Sequence, residues 1–252
     1  MGITLNSDER LDTVPGSCYK IIQNIKKFSY GTDAVLLANY CNIKRGSKVV
    51  DLGTGTGIIP LLLVGRFEAD KIYGLEIQKD MAEMAERSII LNKLQDKVKI
   101  INMDLRNVSD FFKKESFDVV TSNPPYMVNG GGIINSDDNF SISRHEICAT
   151  LEDIVKSAEF LLKDKGEFYM IHRPYRIADI IWNLRKYKLE PKSICLVYPK
   201  IGKKPNMVLI KGVKRGNPEV RFDDPIYVYN EDGSYTDEIY KIYRMNKEKN
   251  DG

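Results

Sequence analysis

The sequence predicts an α/β chain whose parallel βαβ units are wound into one sheet, and two observations carry that expectation. Between residues 48 and 211, strand-like and helix-like segments alternate, as a parallel sheet demands, because each crossover needs a helix. The first strand-like run then breaks into a glycine-rich turn, VVDLGTGTG over residues 49 to 57, where the backbone can bend sharply and approach a ligand before a helix begins. Length and composition agree: 252 residues at 42% hydrophobic content can bury a substantial core as one domain.

In chain order, Gly31 to Ala38 reads as a capped helix within an N-terminal extension, residues 1 to 46. The core, 47 to 213, carries strands at Lys48 to Asp51, Lys71 to Glu76, Val98 to Asn102, Phe117 to Thr121, Gly166 to Ile171, Ile194 to Tyr198 and Met207 to Lys211. Helices fit between them at Ile58 to Arg66, Lys79 to Leu94, Asp104 to Phe112, Leu151 to Leu162 and Arg176 to Tyr187. The fourth opens on Thr150-Leu151-Glu152-Asp153, a capping-box pattern. A tyrosine-rich, turn-rich extension closes the chain over 214 to 252.

Several classes are disfavoured. There is no basic-then-apolar leader at the N-terminus, and runs such as Ile58 to Val64 are too short to span a bilayer, so the expected location is cytoplasmic. Cys18, Cys41, Cys148 and Cys195 are scattered, with no CxxC pair and only His145 and His172 to join them; they read as packing residues, and no metal is expected. Net charge is only +3, yet residues 161 to 215 hold 14 Lys/Arg against 4 Asp/Glu. That excess suggests a polyanionic partner, or a lysine-rich solvated surface.

The glycine loop is expected to hold a cofactor through Asp51, Gly53, Thr54, Gly55 and Gly57. Glu76 ends the next strand beside it, where a carboxylate can accept both hydroxyls of a ribose; Ile77 follows it. The rhythm D-x-G-x-G-x-G differs from the GxGxxG common for a dinucleotide's pyrophosphate and suits S-adenosyl-L-methionine (SAM), which has no phosphate. Asp104, followed by Leu105, reaches the same edge after the third strand, placed either to accept from the cofactor's adenine amine or to cap the next helix.

The fourth strand runs into Thr121-Ser122-Asn123-Pro124-Pro125-Tyr126. Proline fixes φ, donates no hydrogen bond and pushes its predecessor out of helical space, so the strand must stop in a stiff stub. NPPY at a strand end, after DxGxGxG, resembles the class I SAM-dependent methyltransferases that act on amino groups conjugated to a planar system, chiefly adenine N6. The resemblance implies a Rossmann-like SAM-methyltransferase fold: a seven-stranded, mostly parallel sheet with an antiparallel last strand and helices on both faces. It further implies that Asn123 and the carbonyl of Pro124 accept the amine's N–H bonds, that Pro125 stiffens the stub, and that Tyr126 stacks on the flipped base. Tyr30-Gly31-Thr32-Asp33-Ala34-Val35-Leu36-Leu37 and Arg144-His145-Glu146 extend the likeness, over residues 10 to 240, to the bacterial family that methylates N6 of the adenine beside the anticodon of a valine tRNA. Thr32 and Asp33 then touch the cofactor, or simply cap a helix.

The long polar, glycine-rich segment from Met127 to Ala149 reads as a functional lid or a disordered stretch, with Arg144 and His145 offered to RNA phosphate or base, or His145 simply a surface or packing residue. In the SAM-methyltransferase pattern the turn Pro199 to Asn206 and the segment His172 to Arg176 open on the ligand edge, so Arg173, Arg176, Lys200, Lys203 and Lys204 are expected to meet tRNA phosphates. The enzyme is expected to be a monomer. Glutamine methylation of a release factor, methylation of rRNA or DNA bases, an oxidoreductase on the same fold, and a non-catalytic RNA-binding module are the competing functions. The first normally carries a separate N-terminal helical domain, and an oxidoreductase has no use for an asparagine-proline clamp.

Overall fold

The computed structural model describes residues 5–26, 30–125 and 149–245. Its elements are β1 (Glu9–Thr13), β2 (Lys20–Asn24), α1 (Thr32–Tyr40), β3 (Lys48–Leu52), α2 (Ile58–Arg66), β4 (Lys71–Glu76), α3 (Lys79–Leu91) and β5 (Val98–Asn102). A 3-10 turn (Leu105–Asn107), α4 (Val108–Phe111), β6 (Phe117–Ser122), α5 (Leu151–Leu161), β7 (Leu162–His172), α6 (Ile177–Lys186), β8 (Leu189–Tyr198) and β9 (Met207–Lys214) follow. Two short strands, β10 (Arg221–Phe222) and β11 (Ile226–Tyr227), and α7 (Asp237–Tyr243) complete the described chain.

The main sheet runs β10-β8-β9-β7-β6-β3-β4-β5, with β11 also on β8. β9 is antiparallel to both β7 and β8, and the other pairings are parallel. The expected seven strands are therefore present with the last of them reversed, and β10 and β11 raise the described sheet to nine. Two-residue strands carry no period for a sequence to display. The separate β1–β2 hairpin was also not expected: its second strand is held sideways, by Ile22 N donating to Ser88 Oγ and Lys20 N to Asn92 Oδ1 on α3.

Because β3, β4, β6 and β7 are covered on both sides, their residues alternate between two cores. Val49 faces the cluster built with α1, α2 and α7, and Val50 and Leu52 face the one built with α4, α5 and α6. Each such buried aliphatic side chain contributes on the order of 1.5–3 kcal/mol. The boundaries have local causes. α5 starts on a complete capping box, with Asp153 N donating to Thr150 Oγ1 and Thr150 N to Asp153 Oδ2. α3 stops at Leu91, short of the expected Leu94, because Asn92 turns its amide to β2 and Lys93 adopts a left-handed φ of 57°. The helix expected from Asp104 to Phe112 is split into the 3-10 turn and the single turn of α4. Cys41 and Cys195 are buried as packing residues, with both thiols pushed up by burial, Cys195 to about 11. Cys18 is exposed and corrects that reading for its position, while Cys148 lies outside the described residues.

Candidate active site

Parallel strands bring their carboxyl ends to one edge, and four neighbours, β6, β3, β4 and β5, deliver the expected residues side by side. Leu52 pairs with Ser122 and with Leu75, and Glu76 pairs with Asn102. Asn123, Gly53, Glu76 and Met103 thus lie within one residue of the same line across three strand spacings, roughly 14 Å.

The glycine loop is drawn over β4: Gly53 N and Thr54 N both donate to the Leu75 carbonyl at 2.9 Å. Gly53, Gly55 and Gly57 all take left-handed φ values. Gly57 is constrained twice, since at φ 84° a Cβ would also stand 3.1 Å from that of Ala85 on α3. Gly74, which no motif marked, is as tightly placed: a Cβ there would meet the Thr54 side chain at 2.9 Å.

Two acids are buried beneath this loop. Asp51 is fully inaccessible, and its Oδ1 accepts from Thr121 Oγ1 at 2.7 Å, tying β3 to β6. Its Oδ2 and the Thr54 hydroxyl have no partner in full hydrogen-bond geometry. Burial pushes the Asp51 carboxyl up to about 6 against the opposing influence of the Thr121 and Thr54 hydroxyls. Glu76 accepts from Gly55 N through Oε2 and from Gln78 N through Oε1, both at 2.8 Å. Burial raises its pKa too, and those backbone N–H groups counteract it. Each carboxylate oxygen has two acceptor sites, so Glu76 retains capacity for a diol. Asn102, absent from the sequence-based expectations, holds the strand end by donating to the carbonyls of Glu76 and Ile77. An asparagine at a strand end has no signal that separates this role from a turn.

Beside them, Ile77 is 36% exposed and Leu105 is half-buried. The Asp104 carboxylate does cap the 3-10 turn, accepting from Arg106 N at 2.9 Å, and it is also gripped by the Arg106 guanidinium. That ion pair holds its pKa below the usual carboxylate range. At the N-terminus of α1, Thr32 Oγ1 accepts from the Tyr243 hydroxyl at 3.2 Å and Asp33 Oδ1 from Ala34 N. Both side chains are thus engaged locally.

β6 ends at Ser122, whose hydroxyl donates to the Leu52 carbonyl at 3.0 Å. Asn123 then emerges half-buried, Pro124 is buried and Pro125 exposed. Tyr126, Arg144 and His145 lie outside the described residues.

The cationic stretch divides. Arg173 Nη1 donates to the Asn206 carbonyl at 3.0 Å and Arg176 pairs with Asp179 at 2.6 Å. Most of the other cations between 161 and 215 also bond inward, as Lys163 does to Asp118, Lys211 to Glu167 and the buried Lys214 to Glu115 and Glu159. Lys200, Lys203 and Lys204, in the turn from β8 to β9, have no ion-pair or side-chain hydrogen-bond partner among the described residues, and they border a groove of about 640 Å³. Among those residues no group of His, Cys, Asp or Glu is arranged to hold a metal, and no helix is long and apolar enough to cross a membrane.

Two features fit SAM: a loop with open space over Gly53 and the Glu76 carboxylate with spare acceptor sites; Asp51, fully inaccessible, fits a role beneath the loop and not a direct contact. The methyltransferase small domain family model matches residues 25–181. A tRNA1(Val) (adenine(37)-N6)-methyltransferase of Bacteroides thetaiotaomicron is 31% identical over 183 residues, covering 71% of this chain and 74% of that protein. Its counterpart in Mannheimia succiniciproducens is 30% identical over 218 residues, 85% of each chain. Among solved structures, a predicted O-methyltransferase of Agrobacterium tumefaciens superposes with a TM-score of 0.69 at 22% identity, over 84% of this chain and 95% of its own; that likeness speaks for the fold alone. The chain belongs to the methyltransferase small domain family and, within it, to the tRNA1(Val) (adenine(37)-N6)-methyltransferases, with S-adenosyl-L-methionine as methyl donor.

Proposed function

We propose that this chain methylates the exocyclic N6 of adenine 37 in tRNA1(Val), and that Asn123 and Pro124 present the amine. The observation that supports this reading is the stop of β6 at Ser122, pinned to Leu52, so that the Asn123-Pro124 stub leaves β6 at the level where the glycine loop leaves β3.

Bound SAM supplies an electrophilic methyl group on a sulfonium. An adenine amine is a poor nucleophile because its lone pair is conjugated into the ring. The Asn123 side-chain oxygen and the Pro124 carbonyl accept its two N–H bonds, which localises the lone pair on nitrogen and aims it. The N–C bond would form as the sulfonium's S–CH3 bond breaks, its electron pair staying on sulfur to give the neutral thioether S-adenosylhomocysteine, and the surplus proton would leave through those acceptors to water, so no strong buried base is needed. Preorganisation of the acceptors provides the rate. Tyr126 covers the base, Glu76 accepts the ribose hydroxyls, and Gly53, Gly55 and Gly57 let the loop close over the cofactor. Asp51 acts through Thr121 as a positioning residue. Asp104 with Leu105 and Ile77 flank the cofactor's adenine, while Thr32 and Asp33 border the site from α1. Arg144 and His145, with the lysines at 200, 203 and 204, bind the RNA. On the same reading the protein works as a single-domain monomer in the cytoplasm, without a metal.

The test is to incubate the protein with labelled SAM and, separately, unmodified tRNA, DNA and a release factor, then digest and identify the product. N6-methyladenosine at position 37 of the tRNA is the expected outcome. A methylated glutamine in the release factor, with the tRNA unmodified, overturns the proposal.

A further inference from the structure

Beyond the lysine turn, the groove has a second wall formed by Tyr229 and Asn230. The Tyr229 ring stacks on Tyr235 at 5.3 Å and 14°, and Tyr235 stacks on Tyr243 at 5.6 Å and 26°. Tyr243 in turn donates to Thr32 on α1. The inner two rings pack against the core cluster beneath α1 and α2. Tyr229 does not belong to that packing: it is 40% exposed and borders the groove. One face of the outer ring is taken by Tyr235, and the ring as a whole remains 40% exposed at the groove.

The outer ring is also held rigidly against the lysines. Val228 N donates to the Tyr198 carbonyl at 2.9 Å and Tyr229 N to the Pro199 carbonyl at 2.8 Å, so the segment that follows β11 and carries Tyr229 is bonded to the root of the turn carrying Lys200. A flat aromatic face beside three ammonium groups with no ion-pair partner among the described residues matches one ligand chemistry, a base flanked by phosphates. The groove lies at β8, about three strand spacings or ~14 Å from the end of β6, so a base held there is not the one being methylated. The Asn230 amide is spent on Ser234 Oγ and the Tyr235 carbonyl, both at 3.0 Å, and has no donor left to read a base edge.

We propose that this groove is a second nucleotide subsite, in which an unpaired base of the RNA stacks on Tyr229 while its flanking phosphates meet Lys200, Lys203 and Lys204. It rests on the RNA-methylating reading above, and it accepts any base, since stacking is tolerant of sequence.

The test uses the full chain carrying Tyr229→Trp in a Trp182→Phe background, because Trp182, 71% exposed on α6, would otherwise report as well. An anticodon stem-loop RNA should quench the new indole, and a blunt duplex RNA with the same number of phosphates should not. In parallel, Tyr229→Ala should raise the KM for tRNA roughly 5- to 150-fold with SAM binding unchanged, and Tyr229→Phe should restore it. Equal quenching by both RNAs, or an unchanged KM in a Tyr229→Ala protein that still binds SAM, overturns the subsite. If Tyr229→Ala loses SAM binding through misfolding, the quenching comparison decides alone. A wild-type protein that methylates no RNA overturns the proposed function without touching the subsite, whose quenching needs only binding.

Discussion

At the ends of β3, β4 and β6 most polar groups are buried and bonded before any ligand arrives, with Thr121 on Asp51, Gly55 and Gln78 on Glu76, and Ser122 on Leu52. At the end of β8, on the same edge of the same sheet, the half-buried Lys200 and the exposed Lys203 and Lys204 have no ion-pair or side-chain hydrogen-bond partner among the described residues. The difference follows from what each region has to hold. A small cofactor is recognised by groups fixed in advance in a low-dielectric pocket, where reorganisation would cost rate. A polyanion is recognised by releasing its counterions, which only cations not already neutralised can do. Arg173 and Arg176 show the intermediate case: they reach the right edge, but one bonds the Asn206 carbonyl and the other Asp179.

The sharpest break is expected from Asn123→Ala, which removes one preorganised acceptor: methyl transfer should fall by about a hundredfold or more, with melting temperature and SAM affinity nearly unchanged. Turnover near the wild-type rate in a single-turnover assay would remove Asn123 from the mechanism. On the cofactor side, Glu76→Ala should weaken SAM by roughly 1.5–3 kcal/mol in calorimetry and leave tRNA affinity alone. Replacing Lys200, Lys203 and Lys204 together with Ala should do the reverse. The log–log salt slope of tRNA binding should shrink by about 0.7–0.9 for each phosphate that is no longer neutralised, and an unaltered slope would mean that the RNA is held elsewhere.

The buried titrating groups sharpen the comparison through pH. Asp51, with its carboxyl near 6, binds its proton more tightly folded than unfolded, so its contribution to stability declines as pH rises from about 4 to 6. Glu76, raised in the same direction by burial, adds to that decline. His172, at the end of β7, runs the opposite way: burial lowers its pKa to about 4, so the unfolded chain takes up the proton first and stability is gained as pH rises through the same window. Wild-type stability should therefore be shallow between pH 4 and 6. Asp51→Asn should uncover a rise on the order of 1–3 kcal/mol across it, measured as urea midpoints, and a flat profile in that variant would contradict the opposed pair. The smallest change is expected from Arg176→Ala, because its half-buried guanidinium is held by Asp179: tRNA affinity should shift by less than about twofold, the scale of a single surface charge pair.

The starts of β3, β4, β5, β6 and β9, the helix at Ile58–Arg66, the capping box at Thr150 and the glycine loop were legible because each is local: an apolar run after a turn, a hydroxyl three residues before an acid, three glycines in five positions; β7 and β8 start at Leu162 and Leu189, four and five residues before the expected Gly166 and Ile194. β10 and β11 were not legible, since two-residue strands exist only by pairing with a neighbour; β1 and β2, five residues each, were missed because they pair only with each other, outside the main sheet. By itself the sequence determined the sheet type and placed Asp51, Gly53, Glu76 and Asn123 at strand ends, because a parallel α/β order sends every strand's carboxyl end to one edge. Only the tertiary structure decided which charges are spent. Asp104 is gripped by Arg106, Lys214 is buried between Glu115 and Glu159, and Lys200, Lys203 and Lys204 stay bare beside Tyr229. An ion pair depends on what lies across space, sometimes 100 residues away as between Glu115 and Arg215, and no count of charges along a chain contains that distance.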